Sequence, residues 1–168
     1  MVSVTSLILI KLSKGTSFCD MAKWAQGFYT PKNPQKYIGK HRPRYRSSWE
    51  LSMMMFLDNN DNILHWASEA IKIPYRHPLT GKPTNYIPDF FVVYKNKTGK
   101  TIAEVVEIKP KKQSLIESKV ASAKDRMIVA INHAKWAACS AYCKANGFSF
   151  RVLTEDDIFY QGKPKSKR

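Results

Sequence analysis

Apolar residues in the middle of the chain form two short runs that are separated by a polar turn. The runs cover residues 89–94 and 101–109, and both are rich in β-branched and aromatic side chains. Residues 95–100 between them are polar and include Gly99, and Pro110 ends the second run. Strand, turn and strand in this order predict a β-hairpin.

The sequence before this hairpin predicts one helix and two short strands. Apolar residues recur at helical spacing over residues 49–58, and Ser47 or Ser48 can cap this helix. Residues 63–67 form a short apolar run, and residues 70–75 form a less regular one. We therefore expect a helix followed by a short strand and an irregular strand.

The remaining sequence predicts a loop, a long helix and a last strand. Residues 76–85 are rich in turn formers and are predicted as a loop. Residues 117–146 are predicted as a helix that ends at Asn146-Gly147. Its expected buried stripe consists of Val120, Ala123, Met127, Ile131, Ala134, Ala138, Ala141 and Ala145. A last strand is predicted over residues 148–153. Without the irregular strand over residues 70–75, the order helix, strand, strand, strand, helix, strand predicts an α/β fold, in which helices flank a small mixed central sheet.

Three polar residues interrupt the apolar pattern of the hairpin. Asp89 opens the first strand, and Glu107 and Lys109 close the second. Side chains two positions apart on a strand share a face, so Glu107 and Lys109 point the same way and Ile108 points the opposite way. If the hairpin pairs around its turn, Asp89 lies beside the end of the second strand. We therefore expect the three charged side chains to form one site.

Two neighbouring carboxylates and a lysine have a specific chemical use. Carboxylates that lie close together repel, and each raises the pKa of the other. A divalent cation removes this repulsion, and carboxylate oxygens are the ligands that Mg²⁺ prefers. A lysine beside them can orient a water molecule or hold a phosphate, which predicts metal-assisted hydrolysis of a phosphodiester. The alternative is a surface hairpin with solvated charges, but Pro88-Asp89 at the matching end of the first strand favours the functional interpretation.

Glu50 is a further candidate because of its place on the predicted helix. It shares the apolar face of Met53, Met54 and Leu57, whereas a solvated glutamate would lie opposite. A carboxylate on a core-facing side needs a partner, such as a metal ion or the nearby Arg46. A simpler explanation is that negative charge is favourable in the first turn of a helix.

The charge of the chain indicates a polyanionic partner. The 168 residues carry a net charge of +15, with a pI near 9.8. Nucleic acid fits this charge through counterion release, although an acidic protein surface would fit it too. Residues 21–46 form a basic and aromatic arm in which tyrosines can stack on bases or sugars. The cations expected to contact DNA are Lys40, Arg42, Arg44, Arg46, Arg76, Lys111 and Lys112.

The remaining features restrict the class of protein. The three cysteines argue against a disulfide framework and fit a reducing cytosol. Cys139 and Cys143 are expected to be buried thiols, because His133 is poorly aligned with them for a zinc site. No segment approaches the roughly 20 apolar residues of a membrane span. We expect residues 1–20 to be a dispensable extension and residues 161–168 to be a basic tail.

Pro88-Asp89 on one strand and Glu107-Ile108-Lys109 on the next resemble the signature of the PD-(D/E)XK nucleases. From Met21 to about Ile158 the chain is similar to the head-completion nucleases of tailed bacteriophages, and more distantly to a transposon end-cleaving endonuclease with the same core. The resemblance implies a restriction-endonuclease-like core in residues 47–160.

The resemblance also implies an activity, which is Mg²⁺-dependent DNA endonuclease cleavage with Mn²⁺ able to substitute. Asp89 and Glu107 would be metal ligands, the Ile108 carbonyl an extra ligand, and Lys109 the catalytic lysine. Many members of the family add a glutamate from the preceding helix, a position that Glu50 matches.

The biological setting implied by the resemblance is head completion. DNA would be the substrate, capsid or portal proteins and further copies of the chain are potential partners, and the host cytoplasm or the virion is the expected location. The competing class is a non-catalytic DNA-binding assembly protein that retains a nuclease fold. The intact set of Asp89, Glu107 and Lys109 favours catalysis.

Overall fold

The computed structural model describes residues 26–113 and 122–158 of the chain, which contain both helices and strands. The expectations for residues 1–20 and 161–168 lie outside these ranges. Within them the elements follow in the order β1 (Gly27–Phe28), β2 (Arg44–Tyr45), α1 (Ser48–Asn59), β3 (Ile63–Ser68), β4 (Ile73–Arg76), β5 (Pro83–Tyr86), β6 (Phe90–Lys95), β7 (Thr101–Ile108), α2 (Ala123–Ala145), β8 (Ser149–Leu153) and α3 (Glu155–Ile158).

A four-stranded mixed sheet in the order β3-β6-β7-β8 forms the centre of the fold. The pairs β3–β6 and β6–β7 are antiparallel, and β7–β8 is parallel. The predicted α/β architecture with a mixed central sheet is confirmed. The predicted central hairpin is also confirmed, because β6 and β7 pair around a turn in which Gly99 adopts a φ of +78°. This positive φ explains why glycine suits the turn.

Helix α1 begins and packs as the sequence indicates. The Ser47 hydroxyl accepts a hydrogen bond from the Glu50 N–H at 3.1 Å and caps the helix. Met54 and Leu57 are almost completely buried in a cluster with Trp66 and Val106 of the sheet. Burial of each such aliphatic side chain contributes about 1.5–3 kcal/mol, so this contact fixes α1 against one face of the sheet.

Helix α2 covers the other face of the sheet, but not with the predicted stripe. The buried positions are Val129, Asn132, Cys139 and Cys143, whereas Met127 is 48 % exposed. Two stripes of helical spacing compete in this sequence, and the alanine-rich stripe has less apolar area to bury than the one that includes valine and the cysteines. Part of the predicted helix, residues 117–121, lies outside the described residues.

The predicted loop over residues 76–85 is wrong in part. Strands β4 and β5 pair there as a separate two-stranded sheet, with Ile73 opposite Tyr86 and Arg76 opposite Pro83. The prolines of this segment argued against strands in the sequence. A two-stranded sheet consists of edge strands, where a missing N–H donor is tolerated, so prolines fit there.

The described part of the arm, residues 26–46, is tied to the end of α1 by a buried carboxylate. Asp58 is fully buried and accepts hydrogen bonds from the Tyr29 hydroxyl at 2.7 Å, the Lys32 N–H at 2.7 Å and the Asn33 N–H at 3.0 Å. Burial and the neighbouring Asp58 raise the pKa of Tyr29 far above its usual range, so its hydroxyl stays a donor. The arm is therefore a layer of the fold.

The three tyrosines of the described arm pack against the core, whereas Phe28 is exposed. Tyr29, Tyr37 and Tyr45 pack against the core cluster around Trp66, and the Tyr37 and Trp66 ring centroids are 4.7 Å apart. Packing of these half-buried rings stabilises the arm, and their stacking on bases or sugars stays a prediction. None of the helices in residues 26–113 and 122–158 has the length and hydrophobicity that a bilayer-spanning helix needs.

Replacement of Asp58 by alanine should detach the arm and destabilise the protein. Three donors would lose a charged acceptor, so we expect the free energy of unfolding to fall by about 3 kcal/mol or more. Urea unfolding followed by fluorescence measures this change. Asp61→Ala is the control, because Asp61 lies exposed in the next turn and should change stability by less than about 0.5 kcal/mol. Equal effects of the two variants would contradict this account of the arm.

Candidate active site

The β6–β7 hairpin brings Asp89, Glu107 and Lys109 together, as the sequence predicted. Phe90 pairs with Val106, so the register places Asp89 across from Glu107. Oδ2 of Asp89 accepts a hydrogen bond from the Ile108 N–H at 2.7 Å, and the Lys109 Nζ lies 3.1 Å from Oε1 of Glu107. The three charged groups therefore lie at one end of the hairpin. Lys109 contacts Glu107, and Asp89 contacts the backbone between them.

The backbone around these residues is held by neighbouring strands on both sides. The Lys109 N–H donates to the Leu153 carbonyl at 2.9 Å, which continues the parallel β7–β8 pairing past the end of β7. On the other side, the Glu69 N–H donates to the Asp89 carbonyl at 3.0 Å, just beyond the end of β3. Because both catalytic candidates at the strand ends are fixed by ladder-like hydrogen bonds, their side chains start from a rigid backbone.

Burial makes the carboxylate pair electrostatically costly. Glu107 is only 3 % exposed, and Asp89 is partly buried beside it. Burial and the negative charge of Glu107 raise the pKa of Asp89 well above its usual range, although the Ile108 N–H and the Lys109 ammonium offset part of this effect. A site of this kind gains stability from an added cation.

Lys109 is the cation that the chain itself supplies. Burial lowers the pKa of Lys109, but the charges of Glu107 and Asp89 outweigh this, so the net pKa is raised. Lys109 is therefore an ammonium group at neutral pH. In this state it donates hydrogen bonds and attracts anions, and it has no lone pair with which to accept a proton.

Tyr86 is a site residue that the sequence did not reveal. Its hydroxyl donates to Oε2 of Glu107 at 2.8 Å, and the residue is buried. Burial and the charge of Glu107 raise the pKa of Tyr86 far above its usual range, so the phenol remains a donor. The Lys135 Nζ of α2 lies 5.9 Å from the centre of the Tyr86 ring. Together with Lys109, Tyr86 engages both oxygens of Glu107 and fixes its orientation.

Glu50 is near the site and is hydrogen-bonded at the start of α1. Its Oε2 accepts from the Arg46 N–H at 2.8 Å, and its Oε1 accepts from the Ser47 hydroxyl at 3.1 Å. The carboxylate thus ties down the residues that lead into α1, while the Ser47 hydroxyl caps the helix through the Glu50 N–H. Its charge still reaches the site, since it contributes to the raised pKa of Asp89. Among residues 26–113 and 122–158, no group of three or more acidic, histidine or cysteine side chains is arranged to hold a metal ion.

The sequence suggested Arg46 as an ion-pair partner of Glu50, but the Arg46 guanidinium pairs with another carboxylate. Its Nη1 lies 2.7 Å from Oε1 of Glu69 instead. Glu69 has a φ of +48°, in the left-handed region that non-glycine residues rarely adopt. Such backbone strain is held by the surrounding contacts and is common beside functional sites. Glu69 therefore links the start of α1 to the backbone of Asp89, and no sequence pattern indicated it.

The predicted DNA-contacting cations lie on the surface of the described residues, several with internal partners. Lys40 and Arg44 are exposed, and the Arg42 guanidinium contacts the Thr30 hydroxyl at 2.8 Å and lies 5.3 Å from the centre of the Phe28 ring. Arg76 donates to the Gly81 carbonyl at 3.0 Å. Surface contacts of this kind are worth about 1 kcal/mol or less, so they leave these side chains able to bind phosphates.

The remaining predicted residues are placed as follows. The Lys111 Nζ lies 3.4 Å from Oδ2 of Asp156, and the Lys112 side chain lies outside the described part of the chain. Cys139 and Cys143 are buried with their sulfur atoms 4.0 Å apart, which confirms the expectation of buried thiols.

Comparison with known proteins gives two matches that both include this site. The family described as the TnsA-like endonuclease N-terminal domain matches residues 60–155. The head completion nuclease of Enterobacteria phage T4 is 35 % identical over 142 residues, which cover 79 % of this chain and 92 % of that protein. The resemblance that the Pro-Asp and Glu-Ile-Lys motifs suggested is confirmed. Asp89, Glu107 and Lys109 lie inside the family match, and Glu50 lies before its first residue.

The carboxylate pair predicts an unusual pH dependence of stability. Because the pKa of Asp89 is raised in the folded state, the folded protein binds a proton more tightly than the unfolded chain does. Stability should therefore fall as the pH rises from the usual carboxyl pKa through the raised pKa. Asp89→Asn removes this charge and keeps an oxygen for the Ile108 N–H. We expect a higher melting temperature at pH 7 to 8 in EDTA, where a gain of ~1 kcal/mol corresponds to about 2–4 °C.

Thermal unfolding of both proteins across pH 4 to 8 measures this effect. Asp61→Asn is the control, and its pH dependence should match that of the wild type because Asp61 is exposed. A lower melting temperature of Asp89→Asn at pH 7 to 8 would show that Asp89 stabilises the metal-free fold, contrary to this expectation.

Proposed function

Because the chain belongs to the family of the TnsA-like endonucleases and of the phage T4 head completion nuclease, we propose that it hydrolyses phosphodiester bonds of DNA in a Mg²⁺-dependent reaction. The observation that supports this most directly is the convergence of Asp89, Glu107 and Lys109 at one end of the β6–β7 hairpin. Each of the three chemical groups that metal-assisted hydrolysis needs is present there, namely two anionic ligands and a cation for the phosphate.

The donor set fits a magnesium ion. Asp89 and Glu107 supply carboxylate oxygens, and the Ile108 carbonyl lies on the same stretch of strand. Mg²⁺ binds through one or two carboxylates and keeps several waters, so it does not require a third protein carboxylate. Carboxylate and carbonyl ligands suit Mn²⁺ as well, which we expect to substitute. A bound metal ion supplies charge for the phosphoryl oxygens and lowers the pKa of a water molecule.

The protein residues prepare this site in three ways. The Ile108 N–H and the Tyr86 hydroxyl fix one oxygen each of Asp89 and Glu107. Lys109, which is an ammonium group in the metal-free protein, would hold the scissile phosphate and position the attacking water. Glu50 can join as a further ligand or bind a second ion only if its carboxylate gives up its hydrogen bonds from the Arg46 N–H and the Ser47 hydroxyl.

The positively charged surface would bind the DNA backbone. Lys40, Arg42, Arg44 and Arg46 of the arm would contact the phosphate backbone, and so would Arg76, Lys111 and Lys112. Phosphate contacts position a protein without reading sequence, so we expect weak sequence preference. The relation to a head completion nuclease supports a role in phage head completion, with capsid or portal proteins as partners, in the host cytoplasm or the virion.

Removal of Lys109 should abolish cleavage without abolishing DNA binding. In a supercoiled-plasmid assay, we expect nicking by the wild type with Mg²⁺ and none with EDTA. Lys109→Ala and Asp89→Ala should each lower the rate by about 100-fold or more, as is usual for groups that act on the reacting atoms. Lys95→Ala is the control, since Lys95 is exposed at the opposite end of β6 and should cleave normally.

Each outcome of the plasmid assay decides between the two functional classes. Retained cleavage in purified Lys109→Ala would contradict the mechanism. If none of the proteins cleaves DNA but all bind it with strong salt dependence, the chain is an assembly factor that kept a nuclease fold.

Tyr86→Phe should weaken metal binding without unfolding the protein. Loss of a hydrogen bond to a metal ligand costs typically about 10–100-fold in metal affinity or activity. We expect a higher Mg²⁺ concentration for half-maximal cleavage and a smaller rise of the melting temperature with Mg²⁺, with unchanged DNA affinity. The matched control is Tyr29→Phe, which removes a similar phenol-to-carboxylate hydrogen bond at Asp58. A Mg²⁺ requirement equally altered in both variants would show a general loss of stability.

A further inference from the structure

The β4–β5 hairpin, residues 73–86, is an exposed ribbon that enters the catalytic strand directly. Its two strands pair only with each other among the described elements. Every residue from 78 to 85 is exposed, including Leu79 at 48 %. The base of the ribbon is buried, because Ile73 and Tyr86 lie in a cluster with Val105 and Cys139. The ribbon therefore has a fixed base and a solvent-facing end.

The ribbon and the residues that flank it carry only positive charges. No acidic residue occurs between Glu69 and Asp89, while this stretch contains Lys72, Arg76 and Lys82. Thr84 and Asn85, beside these cations, are exposed and carry hydrogen-bonding side chains. Such a surface is complementary to a polyanion that also offers polar edges.

The exposed end of the ribbon is ordered by its own hydrogen bonds. The His77 N–H donates to the Lys82 carbonyl at 2.9 Å, and the Gly81 N–H donates to the His77 carbonyl at 2.8 Å. Arg76 closes the turn by donating to the Gly81 carbonyl at 3.0 Å. Gly81 has a φ of +67°, which the turn requires. An ordered turn loses little conformational entropy when it binds.

The base of the ribbon is joined to the catalytic pair. Tyr86 ends β5 and donates to Glu107, and Asp89 follows it by three residues. Four residues of strand span about 13 Å, so the exposed turn lies about that far along the ribbon from Glu107. A ligand held by the ribbon is therefore held at a fixed offset from the reacting phosphate.

We propose that the β4–β5 hairpin enters the major groove of duplex DNA and holds the duplex beside Asp89 and Glu107. This proposal rests on the proposed nuclease function and adds to it the surface that binds the substrate. A two-stranded ribbon matches the major groove of B-form DNA, which is about 12 Å wide. Lys72 and Lys82 contact phosphates beside the groove. Duplex RNA has a deep and narrow major groove that such a ribbon cannot enter, and a single strand has no groove.

The chain contains a matched control for this ribbon. The β6–β7 turn also carries exposed lysines, Lys97 and Lys100, but it lies at the opposite end of β6 from Asp89. Six residues of strand place this turn roughly 20 Å from the catalytic end. Charge reversal of Lys72 and Lys82 changes the net charge as much as charge reversal of Lys97 and Lys100, so a difference in DNA binding shows where the DNA lies on the protein.

The test compares Lys72→Glu/Lys82→Glu with Lys97→Glu/Lys100→Glu in equilibrium binding. Fluorescence anisotropy in EDTA uses a 30-base-pair DNA duplex, one of its strands, and an RNA duplex of the same sequence. We expect the ribbon variant to bind duplex DNA about tenfold or more weakly than the wild type. The slope of its log affinity against log salt should become shallower by about 0.9 for each phosphate that it no longer neutralises. Its weakening on single-stranded DNA and on duplex RNA should match the small weakening of the control variant.

The outcomes separate this proposal from the nuclease itself, because binding is measured without metal and without cleavage. Equal weakening of the two variants on duplex DNA would overturn the binding of DNA by the ribbon. If the ribbon variant lost as much affinity for single-stranded DNA or duplex RNA as for duplex DNA, binding in the major groove would be contradicted. Melting temperatures close to wild type confirm that the exposed substitutions leave the fold intact. A ribbon effect in a protein without cleavage would leave this proposal standing while the proposed function fails.

Discussion

The hydrogen bond from the Ile108 N–H to Asp89 is the interaction on which the site depends. It holds a carboxylate against the end of the neighbouring strand, next to the buried Glu107. Two like charges at this place would separate unless the surrounding structure opposed them. The fold opposes them with donors from three directions: the strand itself, Lys109 beyond it and Tyr86 from the adjoining ribbon. The candidate active site is thus a repulsive pair of carboxylates held together by its neighbours.

Local periodicity predicted the parts of the structure that depend on neighbours in sequence. The alternation of side chains and the position of the turn were enough to place Asp89, Glu107 and Lys109 together, because a hairpin closes on itself. The same reasoning failed for Tyr86 and Glu69, which reach the site through tertiary contacts that no local pattern encodes. It also misplaced the buried face of α2, where two stripes of helical spacing compete and packing against the sheet decides between them.

Glu50 shows how one residue can satisfy two explanations that the sequence could not separate. Its position on the apolar face of α1 was correct, but its partners are backbone and hydroxyl donors at the start of that helix. The arm gives a related lesson. Its tyrosines have a composition typical of nucleic-acid contact, yet their rings pack on Trp66 and leave the cations outside. The arm therefore offers charge on a fixed surface rather than a flexible clasp.

The left-handed backbone at Glu69 has a consequence for the edge of the sheet. Strand β3 follows β6 as far as the pair Ser68–Phe90, and the reversed φ of Glu69 then directs the chain away from that line. The Glu69 N–H still donates to the Asp89 carbonyl, and the regular pairing of β3 with β6 goes no further. One strained residue thus sets the length of β3, so that the strand stops level with the first carboxylate of the site.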